Sequence, residues 1–210
     1  LRAYSFTATI LPVACGWLAA WRVGGAPLAP AAGALTLATA LLLHAGVNLL
    51  NDYYDFMLGF DAPDAPGSSG LLAQGLVRPA YLLRWGRGYL AAGAAAGVAL
   101  ALWRNPWLLA PGAGGWLGAF FYSHPRGFKY RGWGEPLVFL LMGPMLFASA
   151  WVAAGAVPTL RTLAFSLPCG CPVTAILLVN NLRDLEMDRR AGFRTLPARL
   201  GVRAAQGLYL

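Results

Sequence analysis

Apolar residues follow the chain in long runs, and charged residues gather in the segments between them. A transmembrane helix needs about 20 predominantly apolar residues to cross a hydrocarbon core about 30 Å thick. Six runs approach this length, and a seventh begins near residue 202; the six lie at residues 4–21, 31–50, 80–103, 107–122, 135–156 and 160–180. The pattern predicts an all-α polytopic transmembrane helix bundle of about six spans, forming one domain over residues 1–210.

The composition supports a membrane protein. Apolar residues make up 58% of the 210 positions and charged residues only 11%, whereas soluble domains average about 45–50% and about 25%. Disordered chains need low hydrophobicity, and three cysteines are too few for a disulfide framework. An integral membrane protein is the class that remains.

The basic residues indicate topology rather than nucleic-acid binding. The net charge is +8, from 16 basic and 8 acidic residues, but the bases lie between apolar runs and not on one soluble surface. With a cytoplasmic N-terminus and alternating spans, all bases except Arg22, Arg104 and Arg161 fall on the cytoplasmic side. The positive-inside rule predicts that loops 51–79, 123–134 and 181–201 lie in the cytoplasm. We expect an integral protein of a bacterial or archaeal plasma membrane.

The eight acidic residues all fall on that same side, in two groups that each follow an apolar run. After the second run, Asn48, Asp52 and Asp55 share a helix face, and Asn51 precedes Asp55 by one turn. A break at Gly59 would let Asp61 turn back toward the same space. After the sixth run, Asn180, Asp184 and Asp188 share a face in the same way, and pairing Asp52 with Asp184 indicates an internal pseudo-repeat.

Stacked carboxylates repel one another, and a divalent cation would relieve the repulsion. Mg²⁺ is typically held by one or two carboxylates together with substrate phosphates, so two facing groups would hold Mg²⁺ and a diphosphate between them. Arginines suit the remaining phosphate oxygens. The simpler interpretation is that each group is a solvated helix end.

These motifs resemble those of the UbiA-type intramembrane polyprenyltransferases. That family carries Asn-x-x-x-Asp-x-x-x-Asp, matched at Asn51 and Asp55 with Gly59 in the third place, and Asp-x-x-x-Asp, matched at Asp184 and Asp188. The Asn-Asp-Tyr-x-Asp-x-x-x-Gly-x-Asp spacing and the stretch 180–201 are similar to the menaquinone branch, the 1,4-dihydroxy-2-naphthoate polyprenyltransferases. Gly70 and Phe193 stand where relatives often carry a basic residue.

The resemblance implies Mg²⁺-dependent transfer of a polyprenyl group from an allylic diphosphate to an aromatic, dihydroxynaphthoate-like acceptor within the lipid bilayer, without nucleic acid. It implies catalytic roles for Asp52, Asp55, Asp184 and Asp188. The Mg²⁺ ligands that it implies are Asp52, Asp55, Asp61, Asp184 and Asp188. The substrate-binding residues that it implies are Asn48, Asn51, Tyr122, Lys129, Arg183, Arg190 and Arg194. Because the family has about nine helices, we expect the chain to lack the last two or three.

Other interpretations stay open at this point. Related acceptors such as 4-hydroxybenzoate or homogentisate, a transporter-like helix bundle, and an inert shortened homologue are the alternatives. Transporters usually place polar groups near the midplane, whereas these carboxylates lie at one boundary. We expect His44 to make an interhelical hydrogen bond, and Glu135 to be either an acid–base or acceptor contact or a loop salt bridge.

Overall fold

Helices form all of the regular structure in the part of the chain described by the computed structural model, residues 3–60, 70–125, 127–190 and 192–209. A short 3₁₀ turn, Ala3–Phe6, leads into the first α-helix. The α-helices are α1 (Thr7–Arg22), α2 (Pro30–Met57), α3 (Pro79–Arg104), α4 (Leu109–Tyr122), α5 (Gly134–Leu140), α6 (Leu146–Ala154), α7 (Leu160–Arg183), α8 (Leu185–Arg190), α9 (Leu196–Leu200) and α10 (Val202–Tyr209).

Each of the six apolar runs is helical, which confirms the all-α prediction. Among the described residues, three helices are long and apolar enough to cross a membrane: Pro30–Met57, Gly134–Ala154 and Leu160–Arg183. The helix α1 has 16 residues and α4 has 14, so at 1.5 Å per residue they are shorter than a typical span. The helix α2 continues past the predicted end at residue 50 and carries the first acidic group on its last turns.

The span Gly134–Ala154 is interrupted by a π-helical segment, Leu141–Met145, that contains Pro144. Proline has no backbone N–H to donate, and π-segments accommodate such a break inside a helix. A Cβ added at Gly143, within this segment, would collide with the backbone of Gly170 on α7. These two glycines therefore bring α7 and the interrupted span into backbone contact, as small residues do in membrane bundles.

The helices α2 and α3 run antiparallel and pack closely. A Cβ at Gly46 would touch Leu90, and one at Gly93 would touch Leu43, so the sequence order of the contacts reverses between the helices. The end of α3 that carries Arg104 therefore lies away from the acidic end of α2. Arg104 donates to the carbonyls of Ala153 and Ala154 at 2.7 and 3.1 Å, which caps the last turn of α6.

The helix α1 packs against α6. Ala20, Phe147, Trp151 and Ala154 form a buried apolar cluster, and Gly16 lies against the backbone of Phe147. The loop ends of α2, α4, α5 and α7 meet at the other end of the bundle, where hydrogen bonds join residues far apart in the chain. This end carries the polar site.

Candidate active site

Asp55, in the first acidic group, accepts hydrogen bonds from three different side chains. Its oxygens accept from Lys129 Nζ at 2.7 and 2.8 Å, from the Tyr130 hydroxyl at 2.8 Å and from Asn51 Nδ2 at 2.9 Å. Its side chain is 18% exposed. The contact with Asn51 confirms the predicted one-turn spacing on α2.

Asn51 orients this carboxylate and is itself held from two sides. Its Oδ1 accepts from Ser123 Oγ at 2.9 Å and from Lys129 Nζ at 2.9 Å, while its Nδ2 faces Asp55. These partners fix which end of the amide is the acceptor. Three oxygens, one from Asn51 and two from Asp55, thus surround the ammonium group of Lys129.

The second acidic group follows the end of α7. The guanidinium of Arg183 donates to both oxygens of Asp184 at 2.7 Å, and Asp188 Oδ2 accepts from Thr195 Oγ1 at 3.2 Å. Burial raises the pKa of Asp188 to about 6 against the effect of the Thr195 hydrogen bond and of the Lys129 charge, and the charges of Asp184 and Asp55 raise it further. Two of these charges, those of Asp55 and Lys129, come from the first group and its loop partner.

Each of the two acidic groups ends in a backbone turn of the same type. Gly59 has φ +79° and Gly192 has φ +75°, values that favour glycine. The residue after each glycine donates its N–H back to the carbonyl of an aspartate, Phe60 to Asp55 and Phe193 to Asp188, both at 2.8 Å. This is the hydrogen bond of a Schellman-type helix end.

The pseudo-repeat is therefore Asp-x-x-x-Gly-Phe, and it differs by one residue from the pairing of Asp52 with Asp184 expected from the sequence. Asp55, Gly59 and Phe60 correspond to Asp188, Gly192 and Phe193. One turn earlier, Asn51 then corresponds to Asp184. The difference arises because the two segments are aligned here by their glycine turns, whereas the sequence comparison aligned them by the first aspartate of each group.

An aromatic cluster joins the two turns. The Phe60 and Phe193 rings meet edge-on with centroids 4.3 Å apart, and Tyr130 lies 4.6 Å from Phe193 and 6.1 Å from Phe60. The backbone carbonyl of Tyr130 accepts from the N–H of Arg194 at 3.4 Å. Burial, followed by the charge and hydrogen bond of Asp55, raises the pKa of Tyr130, so its hydroxyl keeps its proton and donates to Asp55.

Glu135 is 2% exposed and is hydrogen-bonded to the end of α7, where the second acidic group begins. Its Oε1 accepts from Asn181 Nδ2 at 2.8 Å and from the N–H of Leu196 at 3.1 Å. The carboxylate therefore ties the start of α5 to the end of α7 and to the first residue of α9. These partners are neutral amides, so Glu135 acts here as a structural acceptor rather than through a loop salt bridge.

Other predicted residues lie at the edges of this arrangement. Asp52 is buried within α2, at 5% exposure. Asn48 donates to Ser5 Oγ at 3.2 Å, and Tyr122 ends α4 close enough to Tyr130 to affect its pKa. Arg194 is exposed, and Arg190 makes an exposed pair with Glu186 at 3.4 Å. Asp61 lies outside the described residues.

The interhelical hydrogen bond predicted for His44 is confirmed. Its Nδ1 lies 2.6 Å from Thr9 Oγ1 on α1, and its Nε2 lies 3.2 Å from Ser5 Oγ. His44 therefore links α2 to the N-terminal segment.

Sequence reasoning missed Tyr130, Ser123 and Thr195, which contact Asp55, Asn51 and Asp188 respectively. Tyr130 adjoins Lys129, which was predicted, but no spacing rule connects a residue of the 123–134 loop with the end of α2. These partners are products of helix packing.

The donor set fits a hard divalent cation bound together with a substrate. Among the described residues, no three acidic, histidine or cysteine side chains form a ready-made metal cluster. Mg²⁺ typically takes one or two carboxylates and completes its shell with water and substrate phosphates. The oxygens of Asn51, Asp55 and Asp188, all hard donors, match that requirement.

The fold and the site define a helical membrane protein with paired aspartate motifs at one end of its bundle. A solved UbiA homolog from Archaeoglobus fulgidus bound to DMAPP and Mg²⁺ has a similar fold, with TM-score 0.74, 19% identity, and coverage of 99% of this chain and 70% of that one. The apo structure of a UbiA homolog from Aeropyrum pernix K1 gives TM-score 0.73 at 21% identity, covering 96% and 73%.

The chain belongs to the UbiA prenyltransferase family, whose model matches residues 9–210. It is 38% identical over 178 residues to the 1,4-dihydroxy-2-naphthoate octaprenyltransferase of Mycobacterium tuberculosis, covering 83% of this chain and 60% of that protein. It is 31% identical over 213 residues to human UbiA prenyltransferase domain-containing protein 1, covering 100% and 62%. The chain thus spans about three-fifths of the length of these relatives.

Proposed function

We propose that the protein transfers a polyprenyl group from an allylic diphosphate to an aromatic acceptor, 1,4-dihydroxy-2-naphthoate in menaquinone biosynthesis, with Mg²⁺. The observation that carries the proposal is the ring contact of Phe60 with Phe193, 4.3 Å between centroids, which brings the ends of the two acidic groups next to each other. The similarity to the mycobacterial octaprenyltransferase supports this choice of acceptor.

In this proposal Asp52, Asp55, Asp184 and Asp188, with Asp61, would hold Mg²⁺, which neutralises charge on the departing pyrophosphate when it is bound. Lys129 and Arg183 pair with Asp55 and Asp184, each at 2.7 Å, and would bind the remaining diphosphate oxygens. Arg190 and Arg194 would approach from the exposed edge. Asn51 and Tyr130 hold the Asp55 carboxylate in one orientation, which lowers the cost of assembling the site.

The transfer breaks the allylic C–O bond, and the electron pair leaves with pyrophosphate. Tyr53, Tyr54 and Tyr122 would stabilise the allylic cation through their ring faces; the rings of Tyr53 and Tyr54 lie 5.1 Å apart, and Tyr54 lies 5.8 Å from His124. A ring carbon of the acceptor supplies the electron pair for the new C–C bond. With dihydroxynaphthoate, the ring carboxylate then leaves as carbon dioxide and aromaticity is restored.

The apolar helices would hold the prenyl tail in the bilayer while the polar end of the bundle faces the cytoplasm. The positive-inside distribution supports this orientation. The diphosphate would then enter from water and the tail from lipid, meeting at the end of α2.

The test is an assay of the membrane-reconstituted protein with an allylic polyprenyl diphosphate and a panel of aromatic acceptors. We expect Mg²⁺-dependent pyrophosphate release and prenylation of 1,4-dihydroxy-2-naphthoate, both abolished by EDTA. D55A and D184A should each lose activity, whereas R161A, at the far end of α7, should keep it. Full activity in both aspartate variants would overturn the proposal.

A different aromatic acceptor is the second candidate. The human relative matches the whole chain, and its name specifies no acceptor. Product formation with 4-hydroxybenzoate or homogentisate, without reaction of dihydroxynaphthoate, would favour this candidate.

A further inference from the structure

We propose that Lys129 is a built-in counter-cation that occupies the oxygens of the first acidic group and leaves them for the diphosphate when Mg²⁺ binds. The inference deepens the proposed function and rests on it. Its central observation is that the Lys129 ammonium lies 2.7–2.9 Å from three oxygens, two of Asp55 and one of Asn51. An ammonium has three N–H donors, so this set satisfies it fully.

The same oxygens are those a magnesium ion would use. Mg²⁺ binds carboxylate and carbonyl oxygens in preference to nitrogen or sulfur, and Asp55 together with the amide carbonyl of Asn51 provides such a set. The Lys129 and Asp55 side chains are only 23% and 18% exposed, so water screens their interaction weakly. An ammonium and a divalent cation that share one carboxylate repel each other strongly, and the two compete for this place.

The Lys129 ammonium can move away from the Asp55 carboxylate, while the carboxylate itself keeps its position. The ammonium is a point charge on a flexible stem of four carbons, on a short 3₁₀ turn, Lys129–Arg131, outside the long helices. Asp55 retains one partner on each oxygen without the lysine, because Tyr130 donates to Oδ1 and Asn51 donates to Oδ2. The carboxylate is therefore held in place for a metal after the lysine has moved.

The diphosphate provides the charge that makes the exchange favourable. Its oxygens would accept the Lys129 ammonium, and its negative charge would offset the metal ion now on Asp55. Metal and diphosphate then bind cooperatively, each favouring the arrangement that the other needs. Metal alone would bind weakly, since it must displace a satisfied ammonium.

The test measures Mn²⁺ binding, as a probe for Mg²⁺, to metal-stripped protein in nanodiscs by the electron paramagnetic resonance signal of the free ion. No substrate is present. We expect K129M to bind Mn²⁺ about ten-fold more tightly than the wild type, equivalent to about 1.4 kcal/mol. K129R should bind as weakly as the wild type, because it restores the cation. R161M removes the same charge at the far end of α7 and should leave the affinity unchanged.

A second titration follows inorganic pyrophosphate at saturating Mn²⁺, where K129M should bind it more weakly than the wild type. The opposite signs of the two changes separate a counter-cation from a residue needed only for folding. K129Q, checked for monodisperse behaviour, repeats both measurements if K129M aggregates.

Equal Mn²⁺ affinity in wild type and K129M, an equal gain in R161M, or no Mn²⁺ binding by any variant would overturn the inference. So would tightened binding that persists in D55N/K129M, because Asp55 would then not be the shared oxygen donor. The measurement needs no turnover. A protein that transfers prenyl groups but shows no affinity change refutes this inference alone, and one that shows the change without transfer refutes the proposed function alone.

Discussion

The edge of one phenylalanine ring meets the face of another where the two acidic groups end: Phe60 and Phe193, with centroids 4.3 Å apart. Each follows a glycine of positive φ, and each donates its N–H to the carbonyl of an aspartate. The contact therefore connects the backbone turns that terminate the Asp55 and Asp188 helices. It sets how far apart the two motifs lie.

Removing the contact between Phe60 and Phe193 should weaken the joint binding of Mg²⁺ by the two aspartate motifs. We expect F60A and F193A each to raise the Mg²⁺ concentration for half-maximal activity several-fold, since an aromatic pair contributes about 0.5–1.5 kcal/mol beyond its burial. The double variant should be less impaired than the product of the single effects, because the singles remove the same contact. F165A, an exposed position on α7, is the control; strictly multiplicative effects would contradict the prediction.

Replacing Glu135 should destabilise the protein according to the hydrogen bonds that the substitute can keep. E135A leaves the part-buried Asn181 amide and Leu196 N–H without their acceptor, at a cost for each below the value of about 1–3 kcal/mol for a fully buried group. E135Q retains a carbonyl oxygen that can accept these hydrogen bonds, so its stability should fall clearly less than that of E135A. Thermal unfolding in one detergent compares the three proteins, and equal midpoints for E135A and E135Q would show that acceptance by this side chain contributes nothing.

The raised pKa of Asp188, about 6, predicts a dependence of stability on pH. The folded state holds the proton more tightly than the unfolded chain, whose aspartate titrates near its usual pKa of about 3.9. The stabilising contribution is therefore fully present below about pH 4 and is lost as pH rises through about 6. D188N lacks this titration.

We expect the unfolding temperature of metal-free wild type, relative to D188N, to fall between pH 4 and pH 6.5. The effect should be small, because Asp188 is only partly buried. A difference that is constant over this range, or that grows with pH, would contradict the assigned direction.

The backbone contact of Gly143 with Gly170 predicts that a larger side chain at either position lowers the stability of the protein. G143A and G170A each force a methyl group into the facing helix, and overpacking of this kind costs about 1–3 kcal/mol. G88A is the matched control, because a Cβ at Gly88 meets nothing within 4 Å and alanine favours a helix over glycine. Stabilities of G143A and G170A equal to that of G88A would show that the helices can separate without penalty.

Hydropathy and local spacing determined the helices of this protein and the contacts within a single helix. The apolar runs specified the helices, because lipid requires every backbone polar group to be satisfied within its own segment. The one-turn spacing of Asn51 and Asp55 placed them in contact, and Gly59 ended the helix where the sequence indicated. His44 also found its partner on another helix, as expected for a polar side chain in an apolar run.

The tertiary structure decided which distant residues meet. Lys129 and Tyr130 reach Asp55, Glu135 holds Asn181, and Phe60 meets Phe193, whereas Arg190 pairs on the surface with Glu186. Periodicity along a helix reports only which positions share a face, and these contacts depend on how helices far apart in sequence pack and where their loops turn. The sequence alone therefore predicted that the carboxylates lie at one boundary, and the packing of the bundle brought the ends of the two acidic groups into contact.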